Sequence, residues 1–168
     1  MNRIKNNKQG FTLIEVVLVL AIGGLIFLLA FLAFQQVSTN RRDTQRRSDA
    51  GRIVAELQNA GGDGVTVDTQ TKLTGSTTVP APSATAPSNT GFVGSYLGGG
   101  LKGPQQYYGY TYSNSTTALT AAQTAKDLVT IGSGVKCAVG VNNQFATQAG
   151  AVAVIMGLEK GAVCRDDQ

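Results

Sequence analysis

With 168 residues, the chain is long enough for one modest domain plus an extension. Only 14% of its residues are charged and none is histidine, which removes the commonest general base and the commonest metal ligand together. The formal net charge of +4 is gathered near the front, at Arg3, Lys5 and Lys8, and from residue 53 onward six basic residues face seven acidic ones, so no extended basic face for nucleic acid is expected.

The first predicted element is "FTLIEVVLVLAIGGLIFLLAFLAF", residues 11–34. Wound as a helix, these 24 residues span about 36 Å, enough to cross a hydrocarbon core of about 30 Å. A soluble domain of this size cannot easily enclose a helix that is apolar all round, so a membrane span is expected rather than a core helix. The run is too long for the apolar part of a secretory signal peptide, and no A-x-A pattern follows it. Three Lys/Arg precede it and five arginines follow within twenty residues, a balance that by charge alone would put the N-terminus outside. Its single charge is Glu15, near the front end. A carboxylate in hydrocarbon costs roughly 2.5–3.5 kcal/mol on insertion scales and marks a functional site, yet the run offers it no cationic partner.

A short basic leader, then Gly10, then "FTLIE" resembles the class III signal of type IV pilins and the related pseudopilins, and the likeness covers residues 1 to about 58. It implies a cytoplasmic leader, residues 1–10, removed after Gly10 by a membrane-embedded prepilin peptidase that then N-methylates Phe11. It therefore places the N-terminus in the cytoplasm, against the charge count. Glu15 becomes the fifth residue of the mature chain, the family's characteristic acid. Its implied role is subunit assembly, through pairing with the amino group at Phe11 of a neighbouring copy. Gly24 matches a glycine that many members carry. Gly23 and Gly24 become the expected points of helix flexibility, because Leu32 stands where the family often has proline. Each interior glycine weakens an aqueous helix by about 1 kcal/mol relative to alanine. The resemblance further implies a single-pass protein of the cytoplasmic membrane that passes, with the pilus assembly machinery as partner, into an extracellular filament that is a helical homopolymer of the chain. The alternative it leaves is a pseudopilin of a type II secretion or DNA-uptake pseudopilus.

Beyond Phe34 the sequence becomes "QQVSTNRRDTQRRSDAGRIVAELQNAGG". Ala50, Ile53, Val54 and Leu57 recur with a 3.6-residue period, and Asp43 to Arg47 is a favourable i,i+4 pair. One helix is expected over 11–59, with 11–34 in the membrane or filament core, ending at "NAGG". The arginines at 41, 42, 46, 47 and 52 read as a solvated face turned to neighbouring subunits.

Residues 60–168 are expected to form a globular head. Its first part, 61–100, is the αβ-loop that the resemblance implies, with Pro80, Pro82 and Pro87 in a Thr/Ser-rich stretch that reads as a soluble spacer rather than a core element. Asn114 begins a weak N-glycosylation match. A sheet is expected over 105–168. Tyr108, Tyr110 and Tyr112 alternate onto one face, "VKCAVGV" sets Val135, Cys137, Val139 and Val141 together, and "AVAVIMGLE" leads through a turn at Glu159–Gly161 into "AVCRDD". Between the first two strands, "TALTAAQTAKDLVTI" suggests a short helix. The fold class is α+β, a long N-terminal helix packed on a small antiparallel sheet of three or four strands.

Cys137 and Cys164 match neither a redox nor a zinc spacing; by themselves they read as one disulfide in an exported chain or as two buried thiols in a cytosolic one. The resemblance implies export, and hence a Cys137–Cys164 disulfide tying the second strand to the last. Major pseudopilins of type II secretion often carry Asp-Pro where this chain has Gly103–Pro104, which argues against their calcium site. Asp63, Asp68, Asp166 and Asp167 remain as oxygen donors without a recognisable loop pattern. No cofactor or metal is expected. No enzyme is expected either, since there is no Cys–His pair, G-x-S-x-G or phosphate-binding loop.

Overall fold

The computed structural model describes residues 10–87 and 90–167, so the expected leader, except Gly10, and the end of the Pro-rich stretch at Ser88 lie outside the described residues. One helix, α1, runs from Leu13 to Gly62. The chain divides into two units, one ending at Asn40 and one beginning at Arg41. In the first unit the apolar side chains from Phe11 to Phe34 are exposed, and this stretch is long and apolar enough to cross a membrane.

In the second unit the expected stripe is the buried face of α1, with Ala50, Ile53, Val54 and Leu57 joined by Ala60. The helix runs three residues past the expected end. Gly64, at φ 75°, takes the left-handed position that closes it, while Val65 N–H donates to Ala60 O at 2.8 Å and Gly64 N–H to Gly61 O at 3.1 Å. The glycines of "NAGG" therefore remain helical, and the stop belongs to the glycine two residues later.

The arginine face needs a larger correction. Arg46 is fully buried. The apolar stripe, run back one turn from Ala50, lands on it. Its Nε donates to Asp127 Oδ1 at 3.0 Å, and Nη2 lies 2.9 Å from the same oxygen as an ion pair. Nη1 reaches Asp43 at 3.0 Å and Glu159 at 3.2 Å. Asp43 thus pairs with Arg46 rather than Arg47, and it also accepts Glu159 N–H at 3.0 Å. A guanidinium with five donors in a planar fork can bind three carboxylates at once, which a lysine cannot. The cluster joins α1 to the crossover before the second strand and to the last turn.

The 61–100 segment is more structured than a spacer. It holds α2 (Gln70–Thr74), capped by Thr69, and α3 (Gly91–Tyr96), and it buries Val67, Leu73, Phe92 and Val93. Part of the Pro-rich stretch packs on the sheet edge. Ser83 and Tyr107 exchange backbone hydrogen bonds, and a side chain at Gly109 would collide with Pro80 and Pro82. Gln70 completes that edge: its Nε2 donates to Tyr110 O at 3.1 Å and its Oε1 accepts Tyr112 N–H at 2.8 Å. A side-chain amide here stands in for a neighbouring strand.

The four strands β1 (Gly109–Tyr112), β2 (Leu128–Cys137), β3 (Phe145–Gly157) and β4 (Ala162–Asp166) lie in that order. The α+β layout is as expected, but the sheet is mixed. β1 pairs with β2 in parallel, and only the β2–β3 and β3–β4 pairs are antiparallel. The reason is the connection over residues 113–127, which is long enough for a crossover. It forms turns, not the expected short helix. Gln123 accepts from the Thr120 N–H and hydroxyl, each at 3.1 Å, and Asp127 at φ 63° breaks any helical path. Leu128 to Ile131, expected in that helix, begin β2.

Tyr108 and Tyr110 are buried against α1 with Val129, Ile131, Val154 and Met156. Burial pushes both hydroxyls well above the ordinary tyrosine range; Tyr108 donates to Asp49 at 2.7 Å and Tyr110 accepts Leu101 N–H at 2.8 Å. The opposite face of the sheet carries a second, smaller core of Leu119, Val135, Phe145, Ala153 and Ile155. The β2–β3 register shifts between Ser133 and Val135, and beyond the shift Val135 and Phe145 belong to this core. Val139 and Val141, expected to share a strand face with Cys137, instead lie in the hairpin loop, with Val139 96% exposed.

Candidate functional site

The N-terminal segment holds most of the residues singled out in the sequence. Gly10 and Phe11 precede α1 and are exposed. Glu15 lies in the first turn, where its Oε2 accepts Thr12 N–H at 2.9 Å and the Thr12 hydroxyl at 2.8 Å. In return Glu15 N–H reaches Thr12 Oγ1 at 3.4 Å. This is a capping box, Thr-x-x-Glu, which satisfies helix donors that would otherwise be orphaned. The sequence contained the signal in "TLIE", but a search for cationic partners passes over it. Glu15 thus has two donors within its own chain and no cation within ion-pair distance among the described residues.

Gly23 and Gly24 lie inside α1, which is continuous through both, and a methyl group at either would touch nothing. Space for a close helix neighbour is what small residues supply in membrane packing.

In the second unit Cys137 and Cys164 form a disulfide, with Cα atoms 5.8 Å apart. The bond lies on the face of the sheet away from α1. It ties the end of β2 to β4, and Cys164 packs against the small second core. Asp166 supports the same junction by accepting Cys137 N–H at 2.9 Å.

The four aspartates considered as oxygen donors do not converge. Asp63 accepts the Tyr96 hydroxyl at 3.0 Å and Asp68 pairs with Lys72 at 2.9 Å. Asp166 and Asp167 accept backbone N–H groups of Cys137 and Val152. Among the described residues no group of three His, Cys, Asp or Glu side chains could hold a metal ion.

Comparison with known proteins adds one match. The family model described as the prokaryotic N-terminal methylation motif fits residues 5–31. No curated protein and no solved structure matches the chain. Residues 5–31, with Gly10 ahead of an exposed apolar helix that opens on Thr12 and Glu15, carry this motif, which is the class III signal of type IV pilins and pseudopilins.

Proposed function

We propose that the chain is a structural subunit that polymerises through α1 into a type IV pilus-like surface filament. In this reading the prepilin peptidase removes residues 1–10 and methylates Phe11, and the mature protein waits in the cytoplasmic membrane, held by residues 11–34. Assembly then moves the apolar helix from lipid into the filament core. The observation that carries the reading is the methylation motif placed on a helix whose apolar residues from Phe11 to Phe34 are all exposed. Such a surface calls for cover by lipid or by protein, and in this reading other copies of the chain supply the protein.

Electron microscopy of cells with and without this chain tests the reading. Surface filaments are expected only where the chain is present. Filaments confined beneath the surface would turn the reading toward a secretion pseudopilus, and equal filament numbers in both strains would overturn it.

A further inference from the structure

Charges of both signs run along the second half of α1, with most of the arginines toward its start. Arg41, Arg42, Arg46 and Arg47 lie at one end of it, with Asp43 and Asp49 among them; Arg52 and Glu56 follow, and Asp63 lies just past the helix end at Gly62. Lys126 and Lys160 join the basic end. Lys126 Nζ lies 3.8 Å from Glu159, which also binds Arg46, and Lys160 shares a cleft with Arg47.

The lining of that cleft, of about 380 Å³, includes Arg47, Thr124, Asn142, Asn143, Leu158 and Lys160. No carboxylate lines it. Arg47 and Lys160 are exposed, and neither has an acid within ion-pair distance among the described residues. The contrast with Arg46, Arg42, Lys126 and Lys72 is direct, since each of those has a carboxylate partner. At the other end Asp63 is exposed and Glu56 half-buried, and neither has a cationic partner. Arg47 lies on α1 and Asp63 just past its end, 16 residues on and roughly 24 Å along the helix axis, so one copy cannot bring them together.

We propose that the Arg47–Lys160 cleft receives the chain just past the end of α1 in a second copy, with Asp63 as its leading carboxylate, in a head-to-tail contact. The inference rests on the filament reading and adds to it the surface that sets the register between heads. A contact between two different patches of the same molecule does not close on itself unless the rotation makes a ring; repeated, it propagates a filament. Charge complementarity of this kind fixes register and rejects misaligned copies more than it adds affinity.

Charge reversal tests the contact. Arg47→Glu with Lys160→Glu is expected to lower the yield of sheared filaments roughly tenfold, because like charges then face each other. Added salt should partly restore assembly by screening that repulsion. Combining these changes with Glu56→Lys and Asp63→Lys restores the opposite charges with the polarity inverted, and is expected to return the yield to within about twofold of wild type. That recovery excludes misfolding, and it excludes a lipid or nucleic-acid phosphate as the cleft's partner, since neither would respond to acids changed on this chain. A double variant that assembles like wild type, or a fourfold variant no better than the double, overturns the contact and leaves the filament reading standing. A wild-type chain that forms no filaments overturns the filament reading, and this contact with it.

Discussion

Arg46→Met is expected to destabilise the second unit by about 3–5 kcal/mol, a large share of the 5–15 kcal/mol that holds a typical domain together. The cost does not come from losing an attractive pair in water. It comes from leaving Asp127, 1% exposed in its side chain, with no cation beside it. Asp43 and Glu159 are more exposed and can turn to solvent; Asp127 cannot. Methionine fills much of the same volume, so the experiment removes charge with little change in packing. Urea unfolding of the detergent-solubilised chain, followed by circular dichroism, provides the measurement. Asp127→Asn in the same chain is expected to recover part of the loss, because the stranded charge is gone. A loss below about 1 kcal/mol for Arg46→Met would show that the cluster behaves as a surface pair.

Glu15→Ala is expected to leave the protein processed and inserted but to reduce filament yield at least a hundredfold, the equivalent of roughly 3 kcal/mol for a desolvated pair broken on one side. Removing the carboxylate also removes a helix cap worth about 1 kcal/mol, but the helix runs 50 residues and is held by its surroundings, so this alone should not prevent folding or insertion. Glu15→Gln separates the two roles, since glutamine can accept the Thr12 N–H and hydroxyl but carries no charge. If the acid pairs with the amino group at Phe11 of a neighbouring copy, both variants lose filaments alike. If Gln assembles like wild type, capping is the whole of its function and the pairing account fails.

How far the sequence could be read depended on whether a residue's partners were near it in the chain. The membrane-length run and the stripe at Ala50, Ile53, Val54 and Leu57 are periodic and local, and both stand where expected. The tyrosine alternation likewise placed Tyr108 and Tyr110 in the core. The burial of Arg46 is not legible locally, because its decisive partners, Asp127 and Glu159, lie 81 and 113 residues away. Charge clusters are usually solvated, and only the position of Arg46 on the apolar stripe hinted otherwise. The strand direction of β1 could not be read either, since a parallel pair depends on how the crossover returns and not on any pattern within the strand. Gln70, which finishes the edge of β1 from 40 residues away, left no local signal in a stretch rich in small polar residues. In the N-terminal segment the positions were legible but one relationship was not. Thr12 and Glu15 stand in an ordinary capping spacing, which a search for a counter-ion overlooks.

The measurement that bears most directly on the central claim is the intact mass of the protein recovered from sheared surface filaments. The expected mass is that of residues 11–168 with the Cys137–Cys164 disulfide and one added methyl group, located at Phe11 by fragmentation. Recovery of the chain with Met1 in place, or of an unmethylated terminus elsewhere than Phe11, would contradict processing at "KQGFTLIE" and with it the assembly role given to Glu15.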